Sequence, residues 1–247
     1  MKRALIVGGA NGIGLSIATE LNKLPKVEKI YIVDRAKVSD VYICDKFTCH
    51  VFDLATDDMD FFDQFNDIDT LIITAGFGKL DLFKDLNDDY ISSSFRVNAE
   101  APIRIIKRFY DKILSHDDFY CGIMVSIAGF LSSPFFSVYA ATKAALKIFI
   151  ESVNIELEKA NCSNRILNVS PGSIKGTSFN HGQTVLSQTK DLACEIIAHL
   201  QKKDDLFIPQ YENIFKDVLK RYHRDFREEG RQSYDYKLKS GRISLKE

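Results

Sequence analysis

The sequence lacks the features that mark several large classes of protein. Its 33 lysine and arginine residues are balanced by 34 aspartate and glutamate residues, which leaves a formal net charge of −1. So small a net charge creates no field that would attract nucleic acid or an anionic membrane surface. No segment reaches the roughly twenty consecutive apolar residues of a membrane span, and the N-terminal residues are typical of a first strand rather than a signal peptide. We therefore predict a cytoplasmic protein that binds neither nucleic acid nor a membrane.

Cysteine and histidine are few and scattered along the chain. There is no CxxC pair, and none of the five histidines stands at metal-ligand spacing from another. We interpret the thiols as free and mostly buried, and we predict no metal site. The cysteines are Cys44, Cys49, Cys121, Cys162 and Cys194.

Apolar strands alternate with amphipathic helices along the 247 residues, and no linker divides them. This alternation predicts one domain, residues 1–247, with a doubly wound parallel α/β sheet and ligands at the carboxyl ends of the strands. The tail, residues 210–247, begins as an amphipathic helix and ends polar; it is either a solvated end or an arm that covers substrate or a partner subunit. Strands are predicted near 3–7, 29–33, 48–52, 70–74, 120–126, 164–169 and 206–208, and helices near 13–24, 57–65, 97–115, 138–160 and 189–203.

A glycine-rich turn follows the first predicted strand. Gly8, Gly12 and Gly14 are spaced GxxxGxG and lead into a helix. Glycine lets the backbone turn sharply and lets a pyrophosphate approach the amides at the helix N-terminus. Asp34 ends the second strand, twenty residues after Gly14, where a carboxylate binds a ribose diol and repels a 2′-phosphate. The pattern predicts a dinucleotide site that prefers NAD(H), although Arg35 leaves NADP(H) possible.

A second group of residues has the pattern of an acid–base site. Tyr139 and Lys143 are four positions apart in a predicted helix, so both side chains share one face. A nearby ammonium lowers the pKa of a phenol, and we expect Lys143 to do this for Tyr139. Ser126 ends the preceding predicted strand, where its hydroxyl can bind a substrate oxygen. Each of these features alone is common in proteins without any catalytic role.

Together these residues resemble the short-chain dehydrogenase/reductase family in its short, non-extended branch, over roughly residues 1–177. The glycines match its cofactor motif, Tyr139 and Lys143 its YxxxK motif, and Ser126 stands thirteen positions before the tyrosine, as in that branch. The resemblance implies a Rossmann fold of about seven strands and a proton relay that includes Asn98. It also implies a homodimer or homotetramer built on the helices near 97–115 and 138–160.

The resemblance further implies a nicotinamide cofactor and a small-molecule substrate, a carbonyl compound or an alcohol. Asp53 would contact the adenine, and the segment from Pro171 to Ile174 would meet the carboxamide. The implied catalytic residues are Asn98, Ser126, Tyr139 and Lys143. The implied cofactor-binding residues are Gly8, Asn11, Gly12, Ile13, Gly14, Asp34, Arg35, Asp53, Leu54, Ala75, Gly76, Tyr139, Lys143, Pro171, Gly172 and Ile174.

Some positions depart from the family pattern. Val7 replaces a threonine, Thr74 stands where an asparagine is usual, and Gly176 occupies an expected threonine position, with Thr177 one later. Five phenylalanines near the predicted site could form an apolar pocket, although such residues more often only pack; they are Phe77, Phe130, Phe135, Phe136 and Phe179. The segment between Ile174 and Thr189 matches a substrate lid that is short and polar, which predicts an accessible site.

Two alternative functions remain open. One is a nucleotide-sugar epimerase or dehydratase, which also uses YxxxK but has a different glycine spacing and a longer chain. The other is a dinucleotide-binding sensor or scaffold without turnover, since a fold alone does not prove activity. The complete serine, tyrosine, lysine and asparagine set favours an oxidoreductase that interconverts a secondary alcohol and a ketone.

Overall fold

Seven parallel strands form one sheet within the residues that the computed structural model describes, which are 1–177, 179, 182–241 and 243. The strands are β1 (Arg3–Val7), β2 (Lys29–Asp34), β3 (Phe47–Val51), β4 (Thr70–Ile73), β5 (Tyr120–Met124), β6 (Ile166–Val169) and β7 (Leu206–Phe207). Their order across the sheet is β3-β2-β1-β4-β5-β6-β7. The order reverses between β1 and β4, and this reversal creates a crevice at the carboxyl ends of the strands.

Helices cover both faces of the sheet. The helices of the described residues are α1 (Gly12–Asn22), α2 (Asp88–Phe95), α3 (Ala101–Leu114), α4 (Ser137–Lys159), α5 (Leu186–Lys202), α6 (Lys216–Arg224) and α7 (Phe226–Lys239). Side chains alternate across a strand, so Leu5 and Val7 of β1 join the core under α3 and α4, while Ala4 and Ile6 join the core under α1 and α5. Because both faces are buried at the centre of the sheet, the central strands β1, β4, β5 and β6 are mostly apolar, whereas the edge strand β3 is partly exposed. None of the described helices is long and apolar enough to cross a membrane.

The predicted fold class and all seven strands are confirmed, but two helix predictions need correction. The segment predicted as a helix at 57–65 is a 3₁₀ helix, Met59–Gln64. Met59, Phe62 and Phe65 stand three residues apart and are all buried, which suits a helix with three residues per turn. The segment predicted as one helix at 97–115 is a π-helical turn, Arg96–Glu100, followed by α3 from Ala101. It is preceded by α2, which was not predicted and begins at Asp88, where the Asn87 side chain accepts a hydrogen bond from the Tyr90 amide at 2.8 Å.

The cysteine prediction is partly wrong. All five thiols are free, but only Cys121 and Cys162 are buried. Cys49 is exposed because it lies on the edge strand β3, and Cys194 is exposed on the outer face of α5. A free thiol therefore does not imply a buried one in this chain.

Candidate active site

The predicted cofactor residues meet at the carboxyl edge of the sheet. Gly8 follows β1 with a φ of 89°, a left-handed conformation that favours glycine, and a Cβ atom there would stand 2.3 Å from the Ala75 nitrogen. A Cβ atom on Gly14 would stand 2.3 Å from the Gly8 oxygen. The Thr74 hydroxyl, in place of the family's asparagine, donates to the Gly8 oxygen at 2.9 Å. The two glycines thus let the turn, the start of α1 and the end of β4 come into contact.

The Asp34 carboxylate lies against the same turn. One of its oxygens accepts a hydrogen bond from the Ala10 amide at 3.0 Å, and the other accepts one from the Ala36 amide at 2.9 Å. Arg35 is exposed beside it. Asp53 follows β3 at the same edge, and its carboxylate accepts a bond from the Ala55 amide at 2.8 Å. This edge therefore presents two carboxylates that are held in place by backbone amides.

The N-terminus of α1 and the segment after β6 are in direct contact. The Gly12 amide donates a hydrogen bond to the Thr184 hydroxyl at 3.0 Å, and the Thr177 side chain lies against Gly12. Gly172 lies under the Phe215 ring, where a Cβ atom would approach a ring carbon to 2.7 Å. The glycine turn after β1, the N-terminus of α1 and the Asp34 carboxylate lie together in the arrangement that binds a dinucleotide pyrophosphate and ribose. We call this group of residues the dinucleotide cradle.

Ser126, Tyr139 and Lys143 come together where β5 ends and α4 begins. The Ser126 hydroxyl lies beside the Tyr139 phenol, accepts a hydrogen bond from the Ala128 amide at 3.1 Å and donates one to the Pro171 carbonyl at 3.5 Å. The Lys143 ammonium donates to the Met124 carbonyl at 2.8 Å and lies 5.7 Å from the centre of the Tyr139 ring. A serine, a phenol and an ammonium therefore converge, as the spacing predicts.

Burial controls the pKa values of this group. Desolvation raises the pKa of Tyr139 to about 12, while its hydrogen bond with Ser126 acts in the opposite direction. The expected lowering of the Tyr139 pKa by Lys143 is therefore not what the structure shows. Desolvation also lowers the pKa of Lys143 to about 8. The phenol is thus protonated at neutral pH, in the form that donates a proton.

Asn98 lies at the back of this group, in the π-helical turn Arg96–Glu100 between α2 and α3. The side chain is fully buried; its oxygen accepts from the Phe77 amide at 2.9 Å and its nitrogen donates to the Phe77 carbonyl at 2.7 Å. A Cβ atom on Gly76 would stand 3.2 Å from the Asn98 oxygen and 3.3 Å from the Lys143 nitrogen. Asn98 and Lys143 thus approach each other across Gly76.

The predicted phenylalanines separate into two groups. Phe136 and Phe179 pack on the Tyr139 ring, with centroid distances of 5.0 and 5.4 Å. The other three phenylalanines do not contact Tyr139. Phe77 contacts Tyr90, Phe130 lies beneath Lys147, and Phe135 stacks on Tyr234. Tyr139 is only 9% exposed, because the rings around the phenol restrict its access to solvent. Residues 178, 180 and 181 of the predicted lid lie outside the described part of the chain, so the predicted accessibility of the site stays a prediction.

Several residues near the site carry no recognisable sequence signal. Tyr90 lies on α2, which the sequence analysis did not predict, and its hydroxyl accepts from the Lys79 amide at 2.8 Å. Phe215 and Lys237 belong to the tail, whose position no motif indicates. Among the described residues, no three histidine, cysteine, aspartate or glutamate side chains are grouped as a metal site.

The amino-acid sequence is similar to those of known proteins. The family model described as short chain dehydrogenase matches residues 2–185. An uncharacterized oxidoreductase of Staphylococcus epidermidis is 24% identical over 202 residues, which is 76% of this chain and 86% of that protein. Human 17-beta-hydroxysteroid dehydrogenase type 1 is 26% identical over 168 residues, 62% of this chain and 51% of that protein. The chain spans only about a third, 30% and 33%, of two other curated relatives.

Solved structures share the fold. A short-chain dehydrogenase of Streptomyces avermitilis superposes with a TM-score of 0.76 at 19% identity, and the match covers 96% of this chain and all of that one, 100%. An alcohol dehydrogenase of the archaeon Thermococcus sibiricus, solved with 5-hydroxy-NADP, superposes with a TM-score of 0.68 at 18% identity, covering 84% of this chain and 95% of that one. At these identities the likeness concerns the fold alone.

Proposed function

Because the chain belongs to the short chain dehydrogenase family, we propose that it reduces a ketone to a secondary alcohol, or catalyses the reverse reaction, with a nicotinamide cofactor. The observation that carries this proposal is the convergence of Ser126, Tyr139 and Lys143 beside a dinucleotide cradle. A protein that only binds dinucleotide needs no buried phenol with a hydrogen-bonded hydroxyl beside it.

Each residue has a part in the proposed reaction. The bound nicotinamide supplies the hydride chemistry. Tyr139 gives its phenolic proton to the substrate oxygen during reduction, and its raised pKa keeps that proton in place beforehand. Ser126 holds the same oxygen by hydrogen bonding. Lys143 places a positive charge beside the phenol and would bind the nicotinamide ribose, and Asn98 would connect the lysine to solvent through water.

We propose NAD(H) as the preferred cofactor. The support is Asp34, whose carboxylate is fixed by two backbone amides at the end of β2 and would repel a 2′-phosphate. The Thermococcus sibiricus structure contains an NADP derivative, and Arg35 is exposed next to Asp34, so NADP(H) is the competing candidate. Dissociation constants for NADH and NADPH, measured by calorimetry, test this point; tighter binding of NADPH would refute it.

A substrate panel tests the proposed reaction. The purified protein is mixed with NADH or NADPH and a series of ketones and aldehydes, and oxidation of the cofactor is followed by absorbance. We expect turnover of at least one ketone and its loss in Tyr139→Phe. Cofactor binding without turnover of any member would favour the sensor alternative, and conversion of a nucleotide sugar without net cofactor oxidation would favour the epimerase.

A further inference from the structure

The two C-terminal helices return to the loop that precedes Tyr139. Helices α6 and α7 are joined by an ion pair between Arg221 and Glu229 at 2.8 Å, and Glu229 is buried. The Ser132 hydroxyl donates to the Phe226 carbonyl at 3.3 Å, and Gly230 lies close to the same serine. The polar sequence of α7 therefore does not form a wholly solvated end. It packs on residues 132–136, which we call the aromatic loop.

Lys237 and Tyr234 make the most specific contacts with the aromatic loop. The Lys237 ammonium donates to the Ser133 hydroxyl at 2.8 Å and to the Pro134 carbonyl at 2.7 Å. The same nitrogen lies 5.7 Å from the centre of the Phe136 ring. The Tyr234 ring stacks on Phe135 with centroids 4.5 Å apart. Charge-assisted hydrogen bonds and an aromatic stack thus join α7 to consecutive residues of the aromatic loop. We call α6 and α7 together the arm.

The backbone of the aromatic loop is strained at Phe135. Its φ is 66°, a left-handed conformation that is unfavourable for a bulky residue, although the side chain is only 4% exposed. Such a conformation costs on the order of 1–3 kcal/mol and persists only when surrounding contacts hold it. The contacts here are the Tyr234 stack, the bond from the Asp81 amide to the Phe135 carbonyl at 2.9 Å, and the Lys237 bonds to the preceding residues.

The strained turn gives Phe135 and Phe136 different partners. Phe135 packs on α7, while Phe136 packs on the catalytic phenol at 5.0 Å and on Phe179 at 6.2 Å. A Cβ atom on Gly78 would approach Phe136, Tyr139 and Phe179 to between 2.8 and 3.0 Å, so these rings are tightly packed there. The position of Phe136 over Tyr139 therefore depends on a loop that α7 holds.

We propose that Lys237 and Tyr234 are positioning residues that hold Phe136 over Tyr139 and thereby make the substrate site selective for ketones and alcohols that carry an aromatic or alicyclic ring. This inference rests on the proposed function. The Phe136 and Phe179 rings offer apolar faces on which a planar or ring-bearing substrate packs. A sugar would lose water at these faces without gaining hydrogen bonds from them.

Kinetics with two ketones of different shape test the proposal. Lys237→Met keeps most of the apolar stem but removes the ammonium, and Tyr234→Leu removes the stack. For each variant we expect the KM for acetophenone to rise roughly tenfold, while kcat/KM for acetone and the Kd for NADH change by less than about twofold. Lys237→Arg, which keeps donors, should recover most of the selectivity. Lys220→Met is the matched control, because Lys220 is exposed on α6 and pairs with Asp217.

A binding measurement keeps this inference separate from the proposed reaction. In Tyr139→Phe with NADH present, calorimetry gives the Kd of acetophenone with and without Lys237→Met. We expect the second substitution to weaken binding roughly tenfold. Equal affinities, absence of acetophenone binding, or equal losses for acetone and acetophenone would overturn the positioning role. If binding depends on Lys237 but the wild type reduces no ketone, the positioning role stands and the proposed reaction fails.

Discussion

Tyr139 and Lys143 lie one turn apart on α4, and both are almost completely removed from water. Burial favours the neutral form of each group, so it raises the pKa of the phenol and lowers that of the ammonium. The Lys143 charge is partly compensated by its hydrogen bond to the Met124 carbonyl. These two side chains therefore carry a cost in stability that the proposed chemistry explains.

Removal of the phenolic oxygen tests the catalytic assignment at the residue scale. In Tyr139→Phe we expect turnover to fall by about 10²–10⁴-fold, because the positioned acid is lost while the ring still packs on Phe136 and Phe179. The Kd for NADH should stay close to that of the wild type. Steady-state kinetics and calorimetry measure the two effects, and retention of most of the activity would show that Tyr139 is not the acid.

The buried lysine should produce a pH-dependent stability. Its pKa is about 8 in the folded protein against an ordinary value of 10.5, so the unfolded state binds more protons between these values. The contribution of Lys143 to the free energy of unfolding is therefore lowest below about pH 8, and it rises by about 3 kcal/mol up to pH 10.5. Lys143→Met removes this dependence, so the stability of the variant relative to the wild type should decrease over that window.

Urea unfolding at several pH values measures this difference. Tyr139→Phe serves as the control, because it removes the neighbouring phenol but keeps Lys143, and it should retain the wild-type rise over the lower part of the window. If the difference in free energy of unfolding between Lys143→Met and the wild type did not depend on pH, burial would not lower the pKa of Lys143.

At the scale of elements, the β1 turn and α1 depend on close backbone contacts. We expect Gly8→Ala to lower the free energy of unfolding by more than about 3 kcal/mol, because its Cβ atom would meet the Ala75 backbone in addition to the left-handed strain. Gly241 is the matched control: its φ is 68°, and no described residue comes within 4 Å of the position that a Cβ atom would occupy there. Gly241→Ala should cost only about 1 kcal/mol. Chemical unfolding measures both, and equal losses would contradict the crowding argument.

The position of the arm formed by α6 and α7 could not be predicted from the local sequence pattern. The amphipathic start of the tail is visible in the sequence, but its docking depends on contacts between residues about a hundred positions apart, such as Lys237 with Ser133. Neither residue belongs to a motif. The same holds for the 3₁₀ helix at Met59–Gln64, whose form follows from where its aromatic side chains meet the core.

At the scale of the whole molecule, α4 presents an apolar face outward. Ile148 and Ile155 are more than half exposed, at 57% and 56%, and Ala141 and Ala145 are exposed on the same helix. Ala141, Ala145 and Ile148 are spaced four and three apart, and Ile155 lies two turns beyond Ile148, so they form a stripe on one side of the helix that the exposed Ser152 interrupts. A symmetric pair of such stripes would bury each other, so we expect α4 to form the interface of the homodimer or homotetramer that the family resemblance implies.

Charge on this stripe should disrupt the dimer. We expect a wild-type dimer at micromolar concentration and a monomer for Ile148→Glu in sedimentation, because a buried unpaired carboxylate opposes association. Ile214→Glu is the control, since Ile214 is similarly exposed but lies outside α4. A wild-type monomer, or equal behaviour of both variants, would refute this interface.

The sequence by itself determined the succession of strands along the chain, the glycine turn, the acid at the end of β2 and the tyrosine–lysine pair. These features are local: each depends on hydrophobic periodicity, on glycine geometry or on spacing within one helix. Only the tertiary structure decided the pKa direction of Tyr139, the separation of Phe135 from Phe136 and the docking of the arm. These depend on burial and on contacts between distant segments, and both arise only when the chain has packed.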